Sequence, residues 1–431
     1  MMLNTNPFFK KLHRSEFLRN VGTLMSGTAI AQAIPILVSP ILSRLYTPDD
    51  FGILALFMAI SIVISVIATG RYELAIMLPE DKRDASNILA LSVILTVFTS
   101  IITLVLVLLL KGIIAGFFDD PGIESWLYFI PLVVFFTGLY NTFNYWSTRH
   151  KTFKRNAASR ISQSTVMVGT NLGMGFAKYG AAGLIAGYIA GQIVATTVLA
   201  WKTLKNYSEL SRDISRHLII VNAKKYRNFP RINTPHAFIG SLQDHGIVYV
   251  IMAFFNKAIL GSYSFAFRLV TAPASLIGSS IYQVFYQKAT TALQEGQDIQ
   301  AMVLRIYRNL FVIGLPIFAI LFFFGPPIFS FVFGENWVMA GEIAQIIAPW
   351  LFLNFIATPV SCITVIMNKQ WQGMMLSIAD LGLKVTAIVI GGIKGDVYLT
   401  FMLMSIFCGT LLIFSLFLFY KFAGSKVRSA Y

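Results

Sequence analysis

Twelve apolar stretches in this chain read as bilayer crossings, at residues 21–42, 51–78, 85–110, 126–145, 157–177, 181–200, 232–255, 259–285, 310–324, 343–367, 374–393 and 397–420. A hydrocarbon core takes about 20 apolar helical residues per crossing, and backbone polar groups inside it must be satisfied within the protein. Charged residues make up only 12% of the sequence, against about 25% in soluble domains. The expected fold class is an all-α polytopic membrane protein. The apolar run after the basic N-terminus continues through Pro35 to Leu42, too long for the core of a cleavable signal.

The basic residues give the orientation. Lys and Arg are retained on the cytoplasmic side because a positive charge is hard to translocate. Of the 34, twenty-seven lie in the N-terminus, in the even-numbered loops with their adjoining helix ends, and in the C-terminal tail. Five lie in the odd-numbered loops, namely Arg44, Lys111, Lys178, Lys257 and Lys394, and two, Arg268 and Lys384, lie inside crossings. A wrong helix count would scramble this alternation, so both termini are expected to be cytoplasmic. The net charge of +15 is this bias spread over many loops, and a nucleic-acid patch is disfavoured.

The longest polar segment, 202–231, carries eight basic residues and places Tyr207, Leu210, Ile214, Leu218 and Ile219 at near-helical spacing. It is expected to be an amphipathic helix on the inner membrane surface. It separates a six-helix lobe at 1–201 from a second at 232–431. The halves look alike: Leu45-Tyr46-Thr47-Pro48-Asp49-Asp50-Phe51-Gly52 and Phe254-Phe255-Asn256-Lys257-Ala258-Ile259-Leu260-Gly261 each lead into an apolar helix, with the glycines 209 positions apart. An even number of crossings per repeat implies a pseudo-two-fold axis along the membrane normal and a substrate site between lobes.

Several features exclude function classes. The chain has no GxxxxGK[ST] loop, no HExxH, no clustered Cys and His, and no nucleophile–base constellation, so neither its own ATPase nor covalent catalysis is expected. Gly183, Gly187 and Gly191 form a close-packing face on the sixth crossing.

Ionisable residues at bilayer depth are costly and point to function. Arg268 lies about 12 Å into the eighth crossing, and Asp244 and His245 lie about 15 Å from the outer end of the seventh, at 1.5 Å per residue. A short turn joins these crossings, so Asp244 or His245 can face Arg268. The seventh crossing also carries Asn233, Thr234, His236, Ser241 and Gln243. Asp380 and Lys384 are spaced to pair on one helix face, and Arg71 and Glu73 sit near the inner end of the second crossing. Asp244, His245 and Asp380 are candidates for binding a coupling ion. Arg268, Arg71, Lys384 and Gln243 are candidates for holding substrate.

Three stretches resemble one family. They are Arg71-Tyr72-Glu73-Leu74-Ala75-Ile76 followed by Leu78-Pro79; the Gly334-Glu335-Asn336-Trp337 turn leading into Ala344 through Phe352; and Gly261-Ser262-Tyr263 through Arg268, Pro273 and Gln283-Val284-Phe285. They are similar to the Wzx-type oligosaccharide flippases, polysaccharide exporters of the multidrug/oligosaccharidyl-lipid/polysaccharide superfamily. The resemblance covers nearly the whole chain, and Asp244-His245 matches no motif in it. It implies movement of a polyprenyl-diphosphate-linked oligosaccharide from the inner to the outer leaflet of a bacterial cytoplasmic membrane, with no cofactor beyond a possible proton or sodium gradient, and with other polysaccharide-assembly proteins as potential partners. A cationic cavity suits the diphosphate, since arginine's planar fork bonds phosphate bidentately. The alternative is a multidrug or cation antiporter of the same superfamily, which calls for unpaired acids rather than cations.

Overall fold

The computed structural model describes residues 7–117, 122–205, 213–295 and 297–424. Two compact units result, one of Met1–Leu45 with Leu56–Gly246, the other of Tyr46–Ala55 with Ile247–Tyr431. All regular structure among the described residues is helical. Twelve of those helices reach 18 residues, and ten are also apolar enough to cross a membrane.

In the first unit, α1 (Pro7–Leu45) packs on α7 (Phe153–Phe176), and α7 on α8 (Ala181–Lys205). The small-residue face of α8 is used as its spacing predicts: a Cβ on Gly187 would sit 1.8 Å from Asn171 Oδ1, and one on Gly191 2.8 Å from the Gln163 carbonyl. The polar helix α7, with Lys154, Arg155 and Arg160, is one of the two long helices outside the apolar set; Arg160 donates to Thr28 Oγ1 of α1 at 2.8 Å.

The second crossing differs from its expected course. Helix α2 (Pro48–Ser65) opens with a reciprocal cap, in which Asp50 accepts from the Thr47 amide at 2.8 Å and Thr47 Oγ1 from the Asp50 amide at 3.3 Å. It stops at Ser65, where an unbroken helix to residue 78 was expected. Gly70 and Arg71 both take left-handed backbone angles, φ 58° and 60°, and turn the chain into a single helical turn, α3 (Tyr72–Ala75). That conformation costs a non-glycine residue about 1–2 kcal/mol. Arg71 is held there by its ion pair with Glu73 at 3.4 Å, and Glu73, 1% exposed, also accepts from the Thr69 hydroxyl.

The α3 turn is bolted to its neighbours. Arg149, ending α6 (Ile130–Arg149), donates to the Ile76 carbonyl at 3.0 Å, and the Tyr72 hydroxyl donates to the Ala223 carbonyl at 2.9 Å. Ala223 belongs to α9 (Arg216–Lys225), the described part of the expected amphipathic helix; Tyr207 and Leu210 lie outside the described residues. This helix docks on α4 (Lys82–Phe117), with Asn222 donating to Asp84 at 2.9 Å and Asn87 to the Asp213 carbonyl at 2.8 Å. Ile214 and Ile219 join an apolar cluster with Tyr72, Ile76, Ile88 and Trp146. The short α5 (Gly122–Leu127) carries Glu124, which pairs with Lys111 of α4. A π-helical turn, Phe229–Asn233, leads from α9 into α10 (Thr234–Phe254).

In the second unit, Asn256 caps α11 (Lys257–Gln294), its side chain accepting from the Ile259 amide at 3.0 Å. The N-terminal half of α2 crosses the start of α11 at two glycines. A Cβ on Gly52 would lie 1.9 Å from the Lys257 carbonyl oxygen, and one on Gly261 1.8 Å from that of Pro48. The contact is reciprocal, because Pro48 and Gly52 occupy the same offsets in the first motif as Lys257 and Gly261 in the second. Against this crossing packs Trp337, fully buried, its ring 5.2 Å from Phe51 and 4.1 Å from Phe265.

Trp337 comes from the turn that joins α12 (Ile299–Phe333) to α13 (Val338–Ala357). Helix α12 starts eleven residues before the expected crossing because Asp298 caps it, accepting from the Ala301 amide at 3.2 Å, and because Ile299 and Val303 are buried. It kinks at Phe324, ahead of Pro326 and Pro327, whose missing N–H groups break the helical ladder. The tenth crossing is likewise segmented, α13 passing through a 3-10 turn at Thr358–Val360 into α14 (Ile363–Ile366). Helices α15 (Gln370–Ile393) and α16 (Val397–Ala423) pack on each other, and α16 also on α13.

Candidate substrate-binding site

Helix α11 is the second long helix outside the apolar set, and its spacing explains why. Arg268, Thr271, Ser275, Ser279, Tyr282 and Gln283 recur every three to four residues and share one stripe. Arg268 is exposed and lies eleven residues after Lys257, about 16 Å along the helix. Pro273, between Arg268 and Ser275, cannot bond the Leu269 carbonyl and leaves an extra acceptor on the helix. Below Arg268 the stripe forms one wall of a cavity of about 440 Å3, closed by Phe318 of α12 and by Leu351, Asn354, Phe355 and Thr358 around the end of α13.

The cavity was not foreseen from the sequence. Gln283 was visible only as part of a family motif, and Thr271, Ser275 and Asn354 are each unremarkable in a helix. The available signal was the hydroxyl and amide stripe at helical spacing on a crossing otherwise apolar.

Asp380 and Lys384 of α15 form the ion pair that their spacing predicts. Lys384 Nζ also lies 5.1 Å over the ring of Trp350, where cation–π attraction adds to the pair. From Trp350 a run of near-parallel rings continues through Phe267 at 6.0 Å, Tyr263 at 5.6 Å and Phe401 at 5.2 Å. Lys384 is thus engaged within its own unit, at one end of a run of rings that includes Phe267, the residue before Arg268.

In the first unit, Gln243 and His245 of α10 are half-buried and Asp244 is exposed. Asp244 and His245 belong to one unit and Arg268 to the other. Arg71 is tied into the turn before α3 by Glu73, which makes it part of the packing that holds this turn. Chemically, Arg268 supplies a planar cationic fork on a helix wall, the arrangement that suits a phosphate or carboxylate.

Solved structures share this fold. A lipid II flippase MurJ in an inward closed conformation aligns with TM-score 0.66 and 15% identity, covering 91% of this chain and 86% of that one. An inward-facing multidrug resistance MATE family transporter of the MOP superfamily aligns with TM-score 0.67 and 14% identity, covering 94% and 96%. A MOP superfamily transporter from Pyrococcus furiosus aligns with TM-score 0.58 and 13% identity, covering 95% and 96%. At such identities the likeness is one of fold, and it places the chain among polytopic helical membrane proteins. Residues 41–342 match the polysaccharide biosynthesis protein family, and the chain belongs to that family. No curated protein matches it in sequence.

Proposed function

We propose that the protein is a flippase that carries a polyprenyl-diphosphate-linked oligosaccharide from the inner to the outer leaflet of the cytoplasmic membrane. The observation that carries this reading is Arg268, exposed about a third of the way along α11 and heading a polar stripe, in a chain of the polysaccharide biosynthesis family. A diphosphate entering hydrocarbon needs a fixed cation, and neutral hydroxyls and amides can follow the glycan. The arrangement proposed is twelve crossings in two six-helix lobes, with both termini cytoplasmic and alternating access through a cationic cavity. Because the chain carries no nucleotide loop, directionality comes from an ion gradient or from removal of product outside. Asp244, His245 and Asp380 are the groups proposed to bind the coupling ion, and Gln243, Arg71 and Lys384 to support the substrate path.

The test is flipping of a fluorescent undecaprenyl-diphosphate oligosaccharide in proteoliposomes. Arg268→Ala should abolish flipping with the protein still folded, and Arg268→Lys should restore only part, since a point charge loses the bidentate geometry. An Asp244→Asn, Arg268→Gln double variant should remain as inactive as the worse single variant if both residues act on cargo or ion. Rescue in the double would reduce the two to a structural pair. Full activity of Arg268→Ala, or efflux of organic cations in place of lipid flipping, would refute the proposal.

A further inference from the structure

We infer that the cavity beside α11 is a binding site for a single N-acetylated sugar ring. None of its lining residues is ionisable at neutral pH except the Tyr282 phenol, which stays protonated there. A phosphate or an ammonium drug would therefore lose its hydration with no opposite charge to replace it, a cost of several kcal/mol.

The serine and threonine hydroxyl protons on the wall are already used. Thr271 donates to the Phe267 carbonyl at 2.6 Å, Ser275 to Ala272 at 2.8 Å, and Thr358 to Asn354 at 2.8 Å. Each of these hydroxyls is left as an acceptor. Among the described residues, the Gln283 amide and the Asn354 NH2 donate to no protein group, and both line the cavity. A lipid chain filling this space would strand both amides dry. The rest of the lining is apolar: Val270 and Ala274 beside the stripe on α11, and Phe318, Leu351 and Phe355 across from it.

A ligand matching both faces is neutral, rich in hydroxyl donors, and apolar at one end. An acetamido pyranose meets each requirement. Its hydroxyls donate to the Ser and Thr oxygens, and its acetamide exchanges hydrogen bonds with Gln283 or Asn354. Its acetyl methyl reaches Phe318 and Phe355, and its C–H face can lie on the Tyr282 ring. A volume of about 440 Å3 falls in the range of small-ligand sites and accommodates a substituted ring. The site rests on the flippase reading only for the order of groups along the stripe, with the diphosphate at Arg268 and the sugar below it.

The experiment is saturation-transfer NMR on the full chain in lipid nanodiscs, with N-acetylglucosamine as probe and glucose as control. The expected result is transfer to the acetyl methyl, weak or absent transfer to glucose, and a roughly three- to tenfold loss of affinity in Asn354→Leu and in the near-isosteric Gln283→Met, as one uncharged hydrogen bond warrants. Melting temperatures matching the parent exclude misfolding as the cause. Equal transfer to glucose and to the acetylated sugar, or affinity unchanged in both variants, would overturn the inference. The two readings fail separately: sugar binding without flipping would sink the flippase proposal, and Arg268-dependent flipping without sugar binding would sink this one.

Discussion

Replacing Gly52 by alanine should separate two helices that the fold holds at backbone contact. The new Cβ would start 1.9 Å from the Lys257 carbonyl oxygen and 2.7 Å from its carbon, whereas ordinary contact begins near 3.4 Å. The obstacle is backbone of a capped helix start, so no rotamer change relieves it, and α2 and α11 must part by about 1.5 Å. Overpacking of this kind costs about 1–3 kcal/mol, and the rigid obstacle argues for the upper end. Helix propensity works in the other direction, favouring alanine over glycine by about 1 kcal/mol. The clash wins, leaving a net destabilisation of about 2 kcal/mol. In a compact unit of this size each kcal/mol moves Tm by about 2–4 °C, so a fall of about 4–8 °C is expected for detergent-solubilised protein. Gly240→Ala, whose Cβ would meet nothing within 4 Å, should not lower Tm. Gly261→Ala should match Gly52→Ala, and the double variant should cost little more than either, because one separation relieves both clashes. An unchanged Tm in Gly52→Ala, or fully additive losses in the double, would refute the shared crossing.

Two further outcomes follow from the charges. With the native Cys362 and Cys408 buried, an engineered cysteine at exposed Asn336 should react with a membrane-impermeant thiol reagent in intact cells, and one at exposed Lys224 should not; labelling at Lys224 from outside would invert the orientation. Asp380→Asn or Lys384→Met alone should destabilise the second unit by about 3 kcal/mol, the low end for a pair that is only partly buried, by leaving one charge unpaired, and the pair of substitutions should recover most of that in a thermal melt.

The motifs most recognisable in the sequence turn out to hold the fold. Thr47, Asp50, Gly52, Gly261 and Trp337 build one crossing, and Tyr72 bolts one turn to α4, α6 and α9 while Glu73 holds the turn itself. The residues that best fit substrate chemistry, on the α11 stripe and at Asn354, stand out only when neighbouring helices close a cavity around them.

By itself the sequence determined the helical class and the Asp380–Lys384 pair, because hydropathy and four-residue spacing are local quantities. Tertiary structure alone decided the break after Ser65. The run to residue 78 is apolar enough to continue as helix, and what stops it is a buried carboxylate paired with Arg71, a tyrosine bonded to Ala223 and an arginine reaching from residue 149. It also decided that Gly52 meets Gly261's helix and that Asn354 faces Gln283's wall. Those contacts join residues far apart in the chain, and no local period records which distant backbone will lie within a few ångströms.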